Sequence, residues 1–415
     1  MDYMTKKIMG LDVNIFMNSL LWKGTSVSQI ESSLKSHLKG YNIDNLAIMP
    51  DFTPSNSLPI GTTMKVDDNM PLNPSWIGMD IGCGYRLFSI DLKKKKLEKN
   101  RKLNTSRIQK IVDAIDTVIH KRRNISPIER ARQFFDGSNA LINKYFDSSF
   151  NPDITSESKQ SIANNFGSIG NGNHFIDLFI PDVIKNQQHF KNLGLDPDKV
   201  YILIHTGSRE LGYKINQEFT SRFQSNTNTQ EFNYSYLNAV QTALAYAQAN
   251  RAFLQDEIAE SLNLEGTLHL DLPHNAIELV GGGKNKQYLV RKGADFLTKG
   301  SLGIIPTTFA GDAHLVIGLP NTEKTNYSKN HGLGRMYTRQ QMFGKYGRIN
   351  KSKLNKLFPK GIISNVSPQE LVEELPNGYK SPQRVIESFE DTKMGYVLAT
   401  LKPLAVIVER KRNGK

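Results

Sequence analysis

The sequence predicts an α+β fold: one large mixed domain over residues 1–415, with central β-sheets surrounded by helices. Three observations point there. Long amphipathic helical patterns stand beside short β-branched runs, without the regular strand–helix alternation of a parallel α/β protein. No linker rich in Pro, Ser and Gly divides the chain, and no internal repeat is evident. Glycine-rich loops recur at 78–84, 167–172, 281–283, 300–303 and 332–334.

The elements follow in order. The lysine run 93–96 reads as a solvated loop. Ile108, Ile111, Val112, Ile115, Val118 and Ile119 share one face of an amphipathic helix, with Thr105 or Ser106 as its N-cap. Val200–His205 (VYILIH) is a short apolar run ending in TGSR, so it reads as a buried strand feeding a loop. Ser225–Asn233 is the most loop-like polar stretch. A second helical pattern carries Leu237, Val240, Leu244, Ala247, Leu254 and Ile258, and Arg251 interrupts its apolar face. Tyr288–Val290 and Leu404–Glu409 read as further strands.

Composition narrows the class. A single cysteine excludes an intramolecular disulfide framework and fits a reducing compartment. No apolar run is long enough to cross a membrane, and the start has no continuous apolar export core, so a cytoplasmic location is expected. The net charge of +13, from 53 Lys+Arg against 40 Asp+Glu, suggests a polyanionic partner, with nucleic acid the leading candidate.

That one cysteine, Cys83, sits in WIGMDIGCGYR between two glycines and three residues after Asp80. Four histidines occupy loops rich in Gly, Asn or Pro: His174, His205, His274 and His331. Each alone is more often structural, and a lone cysteine is usually a small buried apolar side chain. Together, Asp80, Cys83 and three histidines form an N/O/S donor set suited to Mn²⁺, Zn²⁺ or Fe²⁺. The segments HTGSR, HGLGR and RKGA add glycine turns with a basic side chain, which suit phosphate. Metal ligands and phosphate cradles on a basic chain suggest phosphoryl transfer on nucleic acid.

Read in order, these segments resemble the RtcB family of RNA ligases. The series is MPD at Met49–Asp51, PIG at Pro59–Gly61, DIGCG at Asp80–Gly84, GNGNHFID at Gly170–Asp177 and HTGSRELG at His205–Gly212. It continues with YAQANR at Tyr246–Arg251, HN at His274–Asn275, RKGADFLTKGSLGIIP at Arg291–Pro306 and HGLGR at His331–Arg335. The resemblance implies an RtcB-type fold and two Mn²⁺ ions bridged by the Cys83 thiolate, whose flanking glycines keep bulk away from the metals. Cys83, His205 and His274 would bind one ion; Asp80, Cys83 and His174 would hold the other. It implies a GTP-dependent reaction in which His331 carries GMP. A 2′,3′-cyclic phosphate or 3′-phosphate RNA end is then joined to a 5′-hydroxyl end, in RNA repair or tRNA splicing. Asn173, Asp177, Gly332, Gly334 and Arg335 would contact the nucleotide, and Arg209 and Arg251 the RNA phosphates.

The sequence departs from the family pattern in places. Thr53 stands where histidine is usual, Thr307 and Ala310 replace glycines in IPTTFA, and Leu333 replaces alanine. Asp177 takes the place of a guanine-reading glutamate, and Val408 that of a late lysine, with Arg410 and Lys411 close by. Two rival readings stay open: a dimetal phosphoesterase acting on cyclic phosphate ends, and a non-catalytic RNA-binding paralogue. Retention of all five ligand positions and of His331 counts against the second.

Overall fold

The strand Ile43–Thr53 is buried almost without a break from Leu46 to Phe52, because both of its faces are covered. Leu46, Ile48 and Phe52 enter one apolar cluster; Ala47 and Met49 enter another with Phe16, Ile305, Val316 and Phe389. The computed structural model describes residues 3–99, 102–121, 165–225, 227–283, 285–358 and 361–409. Arg410 and Lys411 lie outside them.

This strand belongs to a six-stranded sheet in the order Met4–Ile8, Leu11–Ile15, Ile43–Thr53, Ile60–Asp67, Gln287–Lys292, Asn275–Val280. Its pairs are antiparallel except Leu11–Ile15 with Ile43–Thr53, whose parallel crossover contains the helix Val27–Leu38. An eight-stranded sheet runs Gly266–Pro273, Gly84–Lys93, Lys199–Thr206, Phe175–Ile184, Gly395–Ile407, Ala313–Gly318, Leu302–Pro306, with Ile363–Ser364 paired to Gly395–Ile407. Alternation divides its strands between two clusters. Tyr85, Leu87, Phe175, Phe179 and Leu203 face one side. Phe88, Ile90, Ile176, Leu178, Ile202 and Ile204 face the other.

The helix Thr105–Lys121 covers that second side with the six apolar residues its spacing predicts. Its first residue is Thr105, and Asn104 Oδ1 accepts from the Arg107 N–H at 3.3 Å, so the cap is Asn104 rather than Thr105 or Ser106. The second predicted helix spans Thr229–Leu262, and its first turns take in part of the polar stretch read as loop. Asn228 Oδ1 accepts from the Glu231 N–H at 3.3 Å and fixes that start. Tyr236, Val240, Ala243 and Tyr246 pack into the core of the six-stranded sheet, whereas Leu254 and Ile258 pack beneath the eight-stranded one. One helix thus joins both cores. No helix among the described residues is long and apolar enough to cross a membrane.

Candidate active site

Strand register gathers the site. Gly84 pairs with Thr206 and with Pro273; Tyr85 pairs with His205, which pairs with Phe175. Cys83, His174, His205 and His274 therefore stand at neighbouring strand ends or one residue beyond. Cys83 Sγ lies 3.2 Å from His205 Nε2 and 3.3 Å from His174 Nε2. Asp80 Oδ2 is 3.1 Å from the same His174 nitrogen. The ligand atoms of Cys83, His174 and His205 all fall within 4.8 Å of one another. The His274 ring centroid is 5.2 Å from that of His205 and 4.6 Å from that of His331.

Hydrogen bonds behind the rings fix which nitrogen is free. His205 Nδ1 faces the Asn173 carbonyl at 2.8 Å. A carbonyl only accepts, so Nδ1 carries the proton and Nε2 keeps its lone pair toward Cys83. His274 Nδ1 is 3.5 Å from Asp295 Oδ1, and neither atom has a hydrogen-bond partner among the described residues. Burial lowers the pKa of both imidazoles, which keeps them neutral as metal ligands must be. Burial pushes the Cys83 thiol up, and the charge of Asp80 adds to it. Burial also acts to raise the Asp80 carboxyl, but His174 and Arg209 beside it hold it below the ordinary range. One thiol, one carboxylate and three imidazoles gathered at one place, with the His205 Nε2 lone pair turned toward Cys83, make a donor set of the kind that holds a divalent transition ion.

His331 lies on the other side of His274, lining the same cleft. Its Nδ1 is 2.7 Å from Asp51 Oδ2 and 3.0 Å from the Gly293 carbonyl. Both partners are acceptors, so Nδ1–H donates, and in the neutral ring the lone pair is on Nε2. Asp51 is fully buried and also accepts from the Gly332 N–H at 3.4 Å. Gly334 has φ +72°, and a Cβ there would meet the Asp51 carbonyl at 2.1 Å, so the turn after His331 needs glycine. Thr53 Oγ1 donates to the Asp51 carbonyl and accepts from the Arg335 N–H, tying the two loops together. Tyr85 lies near-parallel to His331 at 14°, with centroids 6.4 Å apart, and sits 4.5 Å from the His205 ring.

The predicted residues do not all converge. Asp80, Cys83, Asn173, His205, His274, His331, Gly332, Gly334 and Arg335 line one cleft with Thr307 and Thr308 of the altered loop. His174 reaches Cys83 from a neighbouring recess that contains Gly170 and Val408. Arg209 NH1 is 3.2 Å from His174 Nδ1, with its guanidinium seated on Gly170, where a Cβ would come within 1.8 Å.

Arg251 is a correction. It is 1% exposed, forms an ion pair with Asp271 at 2.6 Å and donates to the Gly82 and Thr206 carbonyls at 2.9 Å each. It holds the cysteine loop and the His205 strand end, and presents nothing to an RNA phosphate. Asp177 is buried on the Phe175 face of its strand, outside the cleft lining, and its Oδ1 has no partner among the described residues. Burial raises its pKa well above the carboxylate range. Arg335 is engaged by Glu374 at 2.8 Å and by the Glu373 and Tyr337 carbonyls, and Glu374 is shared with Arg339, so one carboxylate serves two guanidiniums. The glycines flanking Cys83 also have another reason. A Cβ at Gly82 would meet Ala247 of the long helix at 2.9 Å, and one at Gly84 would meet the Leu272 carbonyl at 2.4 Å. They let the long helix and the neighbouring strand come close to the cysteine loop.

Sequence reasoning assigned no individual role to several residues in the cleft or directly behind it. Asp51 stood in the quoted MPD motif, and Tyr85 follows the cysteine loop directly. Lys292 donates to the Ile77 carbonyl at 2.7 Å from inside the cleft. Arg339 bridges Asn173 Oδ1 at 3.1 Å and Glu374 Oε1 at 2.8 Å, a link across 166 and 35 residues that no local pattern announces.

The family model described as tRNA-splicing ligase RtcB matches residues 36–409. The RNA-splicing ligase RtcB2 of Escherichia coli is 27% identical, with 88% of each chain covered. The tRNA-splicing ligase RtcB of Nanoarchaeum equitans is 25% identical over 88% of each. That of Methanococcus maripaludis is 26% identical over 97% of this chain and 96% of its own. With the family match running from residue 36 to residue 409, the chain belongs to the RtcB family.

Proposed function

We propose that this chain is an RNA ligase that joins 2′,3′-cyclic phosphate or 3′-phosphate ends to 5′-hydroxyl ends through GMP carried on His331. The observation that supports it most is the tautomer of His331: Nδ1–H held by Asp51 and Gly293, Nε2 unprotonated, in the cleft that also holds Cys83, His205 and His274. Nε2 forms the bond to the α-phosphorus of GTP as pyrophosphate leaves. The positive imidazole that results keeps its Nδ1 proton against the Asp51 carboxylate, which stabilises it. A cyclic end is first opened by water, which breaks the bond from phosphorus to O2′ and leaves a 3′-phosphate; an oxygen of that phosphate takes the GMP from Nε2, and the 5′-hydroxyl then displaces GMP to complete the join. Two Mn²⁺ ions, one held by Cys83, His205 and His274 and one by Asp80, Cys83 and His174, would neutralise phosphate charge at the reacting ends.

The test is incubation with α-labelled GTP, and in parallel ATP, in the presence of Mn²⁺, followed by a denaturing gel. Wild type is expected to carry label and His331→Ala none, with metal content retained in both. Two features favour the phosphoesterase reading: Asp177 lies outside the cleft, and the Arg335 guanidinium is tied to Glu374. Opening of cyclic phosphate ends with no adduct from either nucleotide would establish that reading instead.

A further inference from the structure

Between Glu323 and Glu370 the chain has ten Lys and Arg residues and no Asp or Glu. The helix Arg339–Tyr346 lies inside this segment, directly after the His331 turn. Its N-terminus is fixed by a capping box between Thr338 and Gln341. Its inner face is fixed by Met342 and Tyr346, which pack with Leu354, Val372 and Leu375 in a cluster of their own. What remains outside is unusual. Met336, Tyr337 and Phe343 are 61%, 36% and 59% exposed. Lys345 Nζ stands 5.1 Å from the Tyr337 ring centroid, and Lys345, Arg348 and Lys353 are themselves exposed.

We infer that this outer face is a stacking platform for a single-stranded RNA segment leading away from the cleft. The inference rests on the reading of RNA as substrate and names where its unpaired nucleotides lie. Aromatic rings interleaved with cations on a rigid element suit single strands, because every base offers a π-face and every nucleotide a phosphate. A duplex would hide its base faces and leave Tyr337 and Phe343 nothing to stack on. An apolar protein partner would meet a positive surface with no acid in the segment to offset it. The acid that faces it, Glu374, is taken by Arg335 and Arg339. The face is also continuous with the site: Arg335 and Arg339 line the His331 cleft, and Arg335 Nε donates to the Tyr337 carbonyl at 3.0 Å. A strand whose end reaches His331 therefore meets Tyr337 within two residues of the cleft wall.

The experiment is fluorescence anisotropy of the full chain with a labelled, unstructured 20-nucleotide RNA and with a blunt duplex, at several salt concentrations. The variants are Tyr337→Ala, Tyr337→Phe, Phe343→Ala and Lys345→Gln/Arg348→Gln. Each alanine variant is expected to weaken single-strand binding about tenfold with the salt slope unchanged, as loss of one stacked base does. Tyr337→Phe should bind as wild type. The double Gln variant should lower the salt slope by roughly 0.7 per lost phosphate contact. Duplex binding should not respond to the alanine changes, and nucleotide labelling of His331 without RNA should be unaffected in all four variants. Single-strand affinity and salt slope equal to wild type in every variant would overturn the inference while leaving the ligase reading intact, and would leave a protein partner for this face. Absence of any adduct in wild type, with the binding losses as expected, would remove the ligase reading and keep the platform.

Discussion

Asp51 shows how much one buried carboxylate decides. Its Oδ2 meets His331 Nδ1 at 2.7 Å, whereas its Oδ1 has no partner among the described residues. Asp51→Asn preserves shape and removes the charge that would stabilise a phosphorylated imidazole. If the amide presents its NH₂ to the ring, the tautomer reverses and Nε2 ceases to be a nucleophile. We expect the rate of nucleotide labelling to fall by about a hundredfold or more, with metal content unchanged and a similar melting midpoint. A labelling rate within a factor of two of wild type would show that Asp51 does not set the state of His331. The motif MPD was visible in the sequence, but its pairing with a histidine 280 residues later was not, because it depends on the glycine turn after His331 packing against the end of the strand that carries Asp51.

At the scale of elements, the helix Thr229–Leu262 explains what the sequence could and could not disclose. Its apolar spacing was legible, and so was the break in that spacing at Arg251. The meaning of the break was not. A charged residue on the buried face of a helix reads equally as a ligand for a polyanion or as one half of a buried pair, and only the strand carrying Asp271 decides between them. Here Asp271 takes Arg251 at 2.6 Å and Arg86 at 2.7 Å, while Arg251 also satisfies two loop carbonyls. Arg251→Leu strips Asp271 of one of two cations and leaves the Gly82 and Thr206 carbonyls without that donor. Breaking a buried pair in this way costs about 3–5 kcal/mol. The expected result is a large fall in denaturant midpoint together with loss of bound metal, since the cysteine loop and His205 hang on those carbonyls. A variant with unchanged stability and a reduced RNA salt slope would restore the phosphate-contact role read from the sequence.

For the whole molecule, the mixed architecture followed from patterning, whereas the division into two sheets did not, because register and strand order depend on partners far apart in the chain. The same non-local logic makes the N-terminal residues part of the site. Residues 1–35 lie outside the family match, yet Leu11–Ile15 pairs in parallel with the strand that carries Asp51. Ile8, Val13, Ile15, Ile30 and Leu34 are buried in the core of the six-stranded sheet, and the Asn18 N–H donates to Ser388 Oγ at 2.8 Å across the molecule. Deleting residues 1–35 would uncover those core contacts and turn Ile43–Thr53 into an open edge, a template for aggregation. The shortened chain should be insoluble, or should melt more than about 10 °C below the full chain, the shift that a loss of several kcal/mol produces in a protein of this size. It should also lose nucleotide labelling, because Asp51 is positioned by that strand. Retention of both the melting midpoint and the label would mean that the Asp51 strand is held by Ile60–Asp67 and the cluster around Phe389 alone, and that the first 35 residues are an appendage to a site complete without them.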